Sequence, residues 1–441
     1  MSSVTVVGGG LAGCEAAWQL AQCDVQVTLL EMKPQDRSPA HFGDMMAELV
    51  CSNSLRGASL SGAVGLLKEE LRCLGSLLMR CADETAVPAG GALAVDRNKF
   101  SQAVDDAVSA HPLISVERKR LDSLPDSGRV VVATGPLTDG ALLQSLRERG
   151  AVLNYHDAIA PLISAESIDH TVVFRADRYE ETGDGAVYLN CPFDEKSYME
   201  FVRELVGAGK TPLHEFETAP FFEGCLPIEE MAARGPLTPA YGPMKPVGLI
   251  DPRLGNRPFA VVQLRPEDAA CTSYNLVGFQ TRLTRGEQKR VLRMIPGLTS
   301  AVFERYGQVH RNAFVDAPRV LDDRMRIVPT PHVSLAGQIT GVEGYVESIA
   351  SGLFVGMSVA LEMQGLDQDL PPPTTAIGGL IRHTRRTAGN YQPSNVVWAM
   401  IDHPRKKRGV KKRDHRLNSA NKALEDLKTW MAPAPSVETV V

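Results

Sequence analysis

The chain has 441 residues, 44% of them hydrophobic and 22% charged, and its 47 Lys and Arg against 52 Asp and Glu give a net charge of −5. These values are typical of a globular protein with two or three domains, and the acidic balance by itself argues against nucleic-acid binding. No segment reaches the roughly 20 apolar residues of a membrane span, and no basic, apolar leader precedes the first strand. We therefore expect a cytoplasmic protein with no membrane partner.

The first elements in chain order alternate between strand and helix. An apolar strand at 4–10 runs into glycines, the sequence LAGCEAAWQLAQC after it has helical spacing, and VQVTLLE is a second strand that ends at Glu31. The residues from about 60 to 80 predict one strongly amphipathic helix. GRVVVATGP, at 128–136, predicts a buried strand that stops at Gly135.

The middle of the chain differs in character from both ends. From about 139 to 315 it mixes short strands, many prolines and a helix at TRGEQKRVLRMI, whereas HVSLAGQITGVEGYVESIASGL returns to strand, glycine-rich turn and helix. LPPPTTAIGG then indicates a linker to a basic C-terminal segment. The sequence predicts an α/β fold: a doubly wound Rossmann-like FAD-binding domain, formed by residues 1–138 and 316–441, with an inserted α+β domain at 139–315.

A glycine motif follows the first strand and opens the first helix. Gly8 permits a tight turn, Gly10 lets a pyrophosphate approach the backbone, and Gly13 lets helix and sheet pack closely. The helix N-terminus favours an anion, and Glu31 at the end of the second strand suits ribose hydroxyls and repels a 2′-phosphate. The motif therefore predicts a site for FAD or NAD. Its predicted cofactor-binding residues are Gly8, Gly9, Gly10, Leu11, Ala12, Gly13 and Glu31.

A second glycine cluster lies between the strand and helix near residue 340. A helix N-terminus there would face the pyrimidine edge of a flavin and stabilise the negative charge of its reduced form. A dehydrogenase with a single NAD site has no need of this helix, so the cluster favours FAD. The further predicted cofactor-binding residues are Gly135, Gly337, Gln338, Gly341, Val342, Glu343 and Gly344.

Positive charge is concentrated near the C-terminal end of the sequence. HPRKKRGVKKRDHR, at 403–416, holds eight Lys or Arg against one Asp. The residues allow two interpretations: a solvated tail, or a surface that contacts the phosphates of a polyanion without reading its sequence. The predicted tRNA-binding residues are Arg405, Lys406, Lys407, Arg408, Lys411 and Lys412.

The eight cysteines include no C-x-x-C pair, which argues against a structural zinc site and a dithiol redox centre, and the sequence predicts no metal site. In a reducing cytoplasm most of these thiols are expected to be buried. Cys225 lies in FFEGCLPIEE, where neighbouring glutamates hold a thiol protonated. From the residues alone, a plain core position is favoured over a working group for both Cys225 and Cys51. Lys245 and Arg234 are candidates for activating Cys225.

Several blocks of sequence resemble one known family over nearly the whole chain. They are VVGGGLAGCEAAW, ELVCSNSLRG, LAVDRNKF, FFEGCLPIEEMAARG, YGPMKPVGLIDPR, YNLVGFQTRLTRGEQKRVLRMIPGL and LAGQITGVEGYVESIASGL. In these blocks the chain is similar to the folate- and FAD-dependent tRNA (uracil-5-)-methyltransferases. The blocks at 222–229 and 242–249 are specific, because related wobble-uridine flavoproteins share only the glycine motifs.

The resemblance implies an enzyme that forms 5-methyluridine at position 54 of the tRNA T-loop. Its implied cofactors and substrates are FAD, 5,10-methylenetetrahydrofolate, NADH or NADPH, and tRNA. A thiolate that adds to uracil C6 makes C5 nucleophilic, and the one-carbon unit requires a hydride to become a methyl group. The resemblance assigns the uracil nucleophile to Cys225 and a second functional cysteine to Cys51.

Three alternatives remain open at the level of sequence. A wobble-uridine-modifying tRNA flavoprotein would be expected to have a longer chain with a helical C-terminal domain. An NAD(P)H-dependent flavin oxidoreductase unrelated to RNA is disfavoured by the missing C-x-x-C and by the basic segment. A non-catalytic RNA-binding flavoprotein would show no turnover. The polar clusters at 274–275 and 310–312 fit either a folate or flavin contact or a structural role such as a helix cap or hinge.

Overall fold

The computed structural model describes residues 3–149, 152–178, 186–212, 226–367, 369–386 and 391–431. In chain order the strands are β1 Ser3–Val7, β2 Gln26–Glu31, β3 Ser54–Gly57, β4 Ala86–Val87, β5 Ala92–Val95, β6 Ile114–Arg118, β7 Arg129–Val132, β8 Val152–Ile159, β9 Leu162–Ser164, β10 Phe174–Arg175, β11 Leu189–Phe193, β12 Ala260–Pro266, β13 Ser273–Leu276, β14 Phe303–Arg305, β15 Gln308–Val315, β16 Arg326–Ile327 and β17 Thr330–Leu335.

The α-helices are α1 Leu11–Gln22, α2 Ala63–Cys73, α3 Leu77–Glu84, α4 Arg97–Ala110, α5 Gly140–Arg149, α6 Glu195–Gly207, α7 Ile228–Ala233, α8 Thr238–Tyr241, α9 Arg285–Leu292, α10 Ala317–Val320, α11 Tyr345–Met363, α12 Ala376–His383 and α13 Lys412–Met431. A 3-10 helix spans Gly337–Thr340.

The first sheet has the strand order β16-β17-β7-β1-β2-β6, and all its pairs are parallel except β16 with β17. Its central strands are runs of β-branched and aliphatic residues, as expected for strands covered on both faces. β1 lies between β2 and β7, so the strand order reverses beside it. In open sheets of this kind a ligand crevice forms outside the carboxyl ends of the strands at such a point.

The second sheet is antiparallel throughout, with the order β10-β11-β12-β13-β9-β14. A separate hydrophobic core lies on it, built from residues such as Phe193, Phe201 and Phe279. The long β8 and β15 pair with each other from Val152 opposite Val315 to Ile159 opposite Gln308. The predicted fold class, a doubly wound α/β domain with an inserted α+β part, is confirmed. The domain boundaries at 138/139 and 315/316 stay a prediction.

The two ends of the chain share one core through the contact between α1 and α11. Glycines on α11 face α1, because a Cβ atom on Gly352 would lie 2.2 Å from the Ala12 carbonyl oxygen, and one on Gly356 would lie 2.7 Å from that of Ala16. The helix α11 is long and apolar enough to cross a membrane, contrary to the expectation from sequence, but most of it is buried inside the protein. Its apolar character therefore serves the core.

The single helix predicted near residues 60–80 is wrong, because the structure has two helices there. Gly75 adopts a φ of +72° between them, and the Ser76 hydroxyl accepts a hydrogen bond from the Met79 nitrogen to begin α3. A residue with positive φ ends a helix, and a serine at this position starts the next one. An amphipathic pattern that continues across the break hid this turn.

The predicted linker at 370–379 is also wrong in part, because α12 begins inside it at Ala376 and its side chains are buried. The carboxylate of Glu70 accepts hydrogen bonds from the nitrogens of Ala376 (2.7 Å) and Ile377 (2.8 Å). The last helix, α13, continues from the basic segment and buries Ala420, Ala423 and Leu427. Residues 371–386 and 391–431 are therefore built into the core of the first domain.

Candidate functional site

A cleft with about 1260 Å³ of empty space, part of it open to solvent, lies at the carboxyl ends of β1, β2 and β7. It is the crevice that the strand order predicts. Residues from both ends of the chain line it. Of the predicted cofactor-binding residues, the structure brings Gly8, Gly9, Gly10, Leu11, Ala12, Glu31, Gly135, Gly337 and Gln338 to its walls.

Each of the three motif glycines is required at its position for a different structural reason. Gly8 has a φ of +101°, and its nitrogen donates to the Leu30 carbonyl at 2.8 Å. A Cβ on Gly13 would lie 1.8 Å from the Gly8 carbonyl oxygen, so helix and turn touch there. A Cβ on Gly10 would meet no protein atom within 4 Å. Gly8 and Gly13 thus hold the turn together, while Gly10 leaves space above the N-terminus of α1.

Glu31 closes one side of this turn as a buried carboxylate. It is 5% exposed and accepts hydrogen bonds from the nitrogens of Gly9 (2.7 Å) and Lys33 (2.9 Å), one on each oxygen. Each carboxylate oxygen has a second lone pair. Glu31 can therefore fix the glycine turn and still accept hydrogen bonds from ligand hydroxyls.

The structure does not bring the remaining predicted cofactor residues, Gly13, Gly341, Val342, Glu343 and Gly344, to the lining of this cleft. A Cβ on Gly341 would lie 2.5 Å from the Tyr391 ring, and Gly344 precedes α11 with a φ of +103°. The Glu343 carboxylate accepts a hydrogen bond from the Gln338 side chain at 2.8 Å. The second cluster thus reaches the cleft through Gly337 and Gln338, and its other residues pack against the segment after 390.

Cys51 is half-buried in a loop next to the cleft. Its backbone nitrogen donates to the Tyr345 hydroxyl at 2.8 Å, and the Ser52 nitrogen donates to the same oxygen at 3.1 Å. Its neighbour Val50 and Tyr345 both line the cleft. The hydroxyl of α11's first residue therefore fixes the backbone that carries the predicted cysteine.

Three arginines surround the same loop, which we call the 49–53 loop. Arg305 donates to the carbonyls of Val50 and Cys51, both at 3.2 Å. Arg97 donates to the Leu49 carbonyl, and Arg265 binds the side chains of Ser52 (2.6 Å) and Asn53 (3.0 Å). Sequence reasoning missed these arginines and Tyr345, because they come from distant parts of the chain and no local motif marks them.

The loop's surroundings act on the Cys51 thiol in opposite directions. Burial and, to a smaller extent, the charge of Asp157 raise its pKa, whereas Arg305, Arg97 and Arg265 lower it, and the net result is a pKa of about 12. Burial is the largest influence, so the thiol is protonated at neutral pH in this arrangement. Reaction as a thiolate would require a change in its environment.

The cations predicted to bind tRNA are exposed in the structure, whereas His415 and Arg416 at the end of the basic segment are half-buried. Arg405, Lys406, Lys407, Arg408 and Lys411 lie between the 3-10 helix Trp398–Met400 and α13, Lys412 is the first residue of α13, and all six are exposed. The segment is anchored at both ends, since the ring of His403 stacks on Trp398 at 5.7 Å and the Arg416 guanidinium lies 5.8 Å from the Trp398 ring. A solvated tail is therefore a poor description of the described part of the segment, 403–416.

The predicted nucleophile Cys225 lies outside the residues that the structure describes, as does Glu223. Of the candidates for activating it, Lys245 is half-buried and Arg234 is exposed.

The polar cluster at 310–312 lies within the strand β15. His310 and Asn312 face one side of the strand, and Arg311 is exposed on the other. Asn275 lies on β13, buried. No group of three or more His, Cys, Asp or Glu suited to a metal ion occurs in the described part of the chain.

The residues of the cleft fit an adenine dinucleotide such as FAD. The space above Gly10 lies at the N-terminus of the 12-residue α1, where backbone N–H groups and the helix dipole favour a pyrophosphate. No acidic residue occurs in the first turn of α1 to oppose it. Glu31 is placed for a ribose, and Gly337 and Gln338 form the wall contributed by the other end of the chain.

Comparison with known proteins agrees with this arrangement. The family model "Glucose inhibited division protein A" matches residues 3–367. The methylenetetrahydrofolate–tRNA-(uracil-5-)-methyltransferase TrmFO of Geobacter sulfurreducens is 54% identical over 98% of this chain and 99% of its own length. The enzyme of the same name from Anaeromyxobacter dehalogenans is 52% identical over 98% and 96%.

Among solved structures, Aquifex aeolicus GidA aligns with a TM-score of 0.69 at 16% identity, covering 97% of this chain and 72% of that one. At this identity the likeness concerns the fold alone. The identities of more than half over nearly full length carry the assignment. The chain belongs to the glucose-inhibited division protein A family and, within it, to the methylenetetrahydrofolate–tRNA-(uracil-5-)-methyltransferases, as its sequence blocks predicted.

Proposed function

We propose that this protein transfers the one-carbon unit of 5,10-methylenetetrahydrofolate to C5 of uridine 54 in the tRNA T-loop and completes it as a methyl group. The observation that carries the proposal is the 54% identity, over 98% of the chain, to an enzyme whose name states folate-dependent tRNA uracil-5 methylation. The target position and the reductant, NADH or NADPH, go beyond that name and are part of the proposal.

FAD is the cofactor that the cleft would hold. Gly10 and the N-terminus of α1 would receive the pyrophosphate, and Glu31 the adenosine ribose, with Gln338 and Gly337 on the opposite wall. When bound and reduced, the flavin supplies the hydride that converts a transferred methylene to methyl. The protein's part is to orient the reactants and to exclude water from them.

Two cysteines have proposed roles. Cys225 adds to uracil C6, which makes C5 nucleophilic, and leaves again when the C5 proton has been removed. Cys51 lies beside the cleft, where Tyr345 and the arginines of the 49–53 loop hold its backbone in place. In the free protein Cys51 is kept protonated by burial, so its reaction is coupled to the arrival of a ligand in the cleft.

The tRNA would contact the exposed basic segment. Six cations from Arg405 to Lys412 are displayed on a segment that is tied to the body of the protein by Trp398. Phosphate contacts of this kind position a nucleic acid without reading its sequence. The chemistry on a T-loop uridine also requires that the base leave its stack.

The proposal is tested by incubating the purified holoprotein with unmodified tRNA, NADH and methylenetetrahydrofolate labelled in its one-carbon unit, followed by digestion to nucleosides. We expect label in 5-methyluridine, and none when uridine 54 is replaced by cytidine. Label in a wobble-position nucleoside, or none in RNA, would refute the proposal. Cys225→Ala is expected to keep its flavin and its tRNA affinity and to lose methylation, while full activity would remove Cys225 from the mechanism.

A further inference from the structure

One face of the second sheet forms a polar row beneath the 49–53 loop. Arg265 on β12 is directly opposite Asn275 on β13, Asn275 is opposite Leu162 on β9, and Leu162 is paired with Arg305 on β14. Directly opposed residues on antiparallel strands point to the same face. Asn275 therefore lies in a row whose two ends, Arg265 and Arg305, both bind the loop that carries Cys51.

Polar atoms in and beside this row have no hydrogen-bond partner within the described part of the chain. They are the Asn275 side-chain nitrogen Nδ2, the Arg305 Nε and the Glu267 Oε1. Asn275 is 3% exposed and Glu267 is 5% exposed. The other oxygen of Glu267 is held by Arg97, 2.6 Å away, and Arg97 also binds the loop. Arg305 thus holds the loop directly and Glu267 holds it through Arg97, while Asn275 lies in the row between Arg265 and Arg305.

A buried polar group that lacks a hydrogen-bond partner destabilises the fold. A buried polar atom without a partner costs about 1–3 kcal/mol, and native structures contain few of them. Three such atoms on the residues that hold, or lie in the row that holds, a loop bordering the cleft indicate that a ligand satisfies them. The ligand must offer acceptors to Asn275 and Arg305 and a donor to Glu267.

We propose that Asn275, Arg305 and Glu267 form a binding site for the lactam edge of a planar six-membered heterocycle, in which a ring N–H lies next to a ring carbonyl. The carbonyl accepts from Asn275 or Arg305, and the N–H donates to Glu267. The inference rests on the proposed function, because that function brings such rings to the cleft beside Cys51. The inference adds the residues that recognise the edge of the ring.

Three rings of the proposed reaction have this edge: the uracil of the RNA, the pterin of folate, and the pyrimidine part of the flavin. They share one recognition chemistry, so the experiment must separate them. A site built to bind a polar edge discriminates strongly against an analogue that lacks it. Analogues with an altered edge are therefore the sharpest probes.

The test compares wild-type holoprotein with Asn275→Leu and Asn275→Asp. Both substitutions remove the side-chain N–H donor, and Asn275→Asp keeps the polarity and volume of the side chain. Thermal unfolding checks that each variant folds. Affinities are measured for tetrahydrofolate and its 2,4-diamino analogue, which lacks the ring carbonyl, and for a T-arm hairpin with uridine or 3-methyluridine at the target position. Flavin content is read from absorbance.

We expect both variants to bind one of the natural ligands about five- to tenfold more weakly, the value of one buried hydrogen bond, while the affinity for its edge-altered analogue changes little. The ligand whose affinity falls identifies the ring that the site binds, and loss of bound flavin would identify the isoalloxazine. Equal binding by wild type and both variants in all three arms would overturn the proposal and show that water satisfies these atoms. A wild-type protein that binds these rings but does not methylate would contradict the proposed function alone, because the readout here is binding.

Discussion

The phenol oxygen of Tyr345 lies 2.8 Å from the backbone nitrogen of Cys51, a residue 294 positions earlier in the chain, and accepts its hydrogen bond. Tyr345 also begins α11, directly after the glycine turn of the second cluster. The position of the Cys51 loop is therefore set by the same helix that joins the two ends of the chain. A shift of α11 would move the cysteine relative to the cleft.

Replacement of Tyr345 by Phe removes the acceptor of two N–H groups, those of Cys51 and Ser52. We expect methylation to fall at least tenfold and the free energy of unfolding to fall by about 1–3 kcal/mol, the cost of leaving buried donors unmet. The matched control is Tyr198→Phe, which removes a hydrogen bond to the Pro236 carbonyl in the other core. An equal loss of activity in both variants would show that Tyr345 acts only through stability.

Gly10 and Gly13 should respond differently to a side chain. A Cβ on Gly10 meets no protein atom within 4 Å, whereas one on Gly13 would lie 1.8 Å from the Gly8 oxygen. We expect Gly10→Val to purify without flavin colour and to melt at nearly the temperature of the flavin-free wild type, and Gly13→Val to be strongly destabilised. Absorbance near 450 nm and thermal unfolding measure the two effects. Normal flavin content in Gly10→Val would place the pyrophosphate elsewhere.

The Cys51 thiol should be slow to alkylate. Burial raises its pKa to about 12, so only about one molecule in 10⁵ carries the thiolate at pH 7. We expect the alkylation rate to rise about tenfold with each pH unit from 7 to 10, without a plateau near the value of a free cysteine. Mass spectrometry of the peptide that contains Cys51, after brief iodoacetamide treatment, gives this rate. A plateau below pH 9 would contradict the arrangement.

Glu70 should make stability depend on pH. Burial raises its pKa from 4.5 to about 7, although the two N–H donors of α12 lower it. A carboxyl whose pKa is higher in the folded chain stabilises the fold fully below pH 4.5, and this contribution is lost as the pH rises through 7. Between pH 5 and 8 we expect the free energy of unfolding to fall by at most about 3 kcal/mol.

Urea unfolding at several pH values measures this dependence. Glu70→Gln should flatten it between pH 5 and 8, because the amide does not titrate. Glu69→Gln, which changes the half-exposed neighbour, is the control and should keep the wild-type slope. A wild-type slope in Glu70→Gln would assign the pH dependence to other groups.

Neutralisation of Arg405, Lys406, Lys407 and Arg408 to Gln should weaken tRNA binding and reduce its salt dependence. Each lost phosphate contact lowers the slope of log K against log salt by roughly 0.7–0.9, so four contacts lower it by roughly 3. The control neutralises Lys196, Arg203, Arg257 and Lys289, which are exposed on the second domain. If both quadruple variants have the wild-type slope, the basic segment does not contact tRNA.

The glycine turn and Glu31 could be predicted from sequence because residues close together in the chain determine their positions. Gly8 and Gly10 lie within one turn, and Glu31 follows at the end of the neighbouring strand, so spacing alone brings them to one cleft. The family blocks added the assignment that the comparisons confirm. The helix at 284–295 is present as α9 for the same reason, its periodicity.

The parts that sequence did not predict depend on contacts between distant residues. The start of α12 is fixed by Glu70, about 306 positions away, and a proline-rich stretch conceals it. The arginines at the Cys51 loop come from α4, β12 and β14, and cross-strand register determines which of them meet. The periodicity near residues 60–80 continues through Gly75, so the break there follows from a backbone conformation that the pattern does not encode.

The close contact of α1 with α11 has a consequence for biosynthesis. Gly352 and Gly356 pack against Ala12 and Ala16, and the 3-10 helix and the first turn of α11 supply the cleft wall opposite the glycine turn, so the cleft is incomplete until these residues have been translated. A nascent polypeptide that has emerged from the ribosome only as far as the second sheet has the glycine turn but no partner for it. We therefore expect FAD to bind only after Tyr345 and Ser348, the two wall residues of α11, have left the ribosome, and until then α1 lacks the helix that covers it.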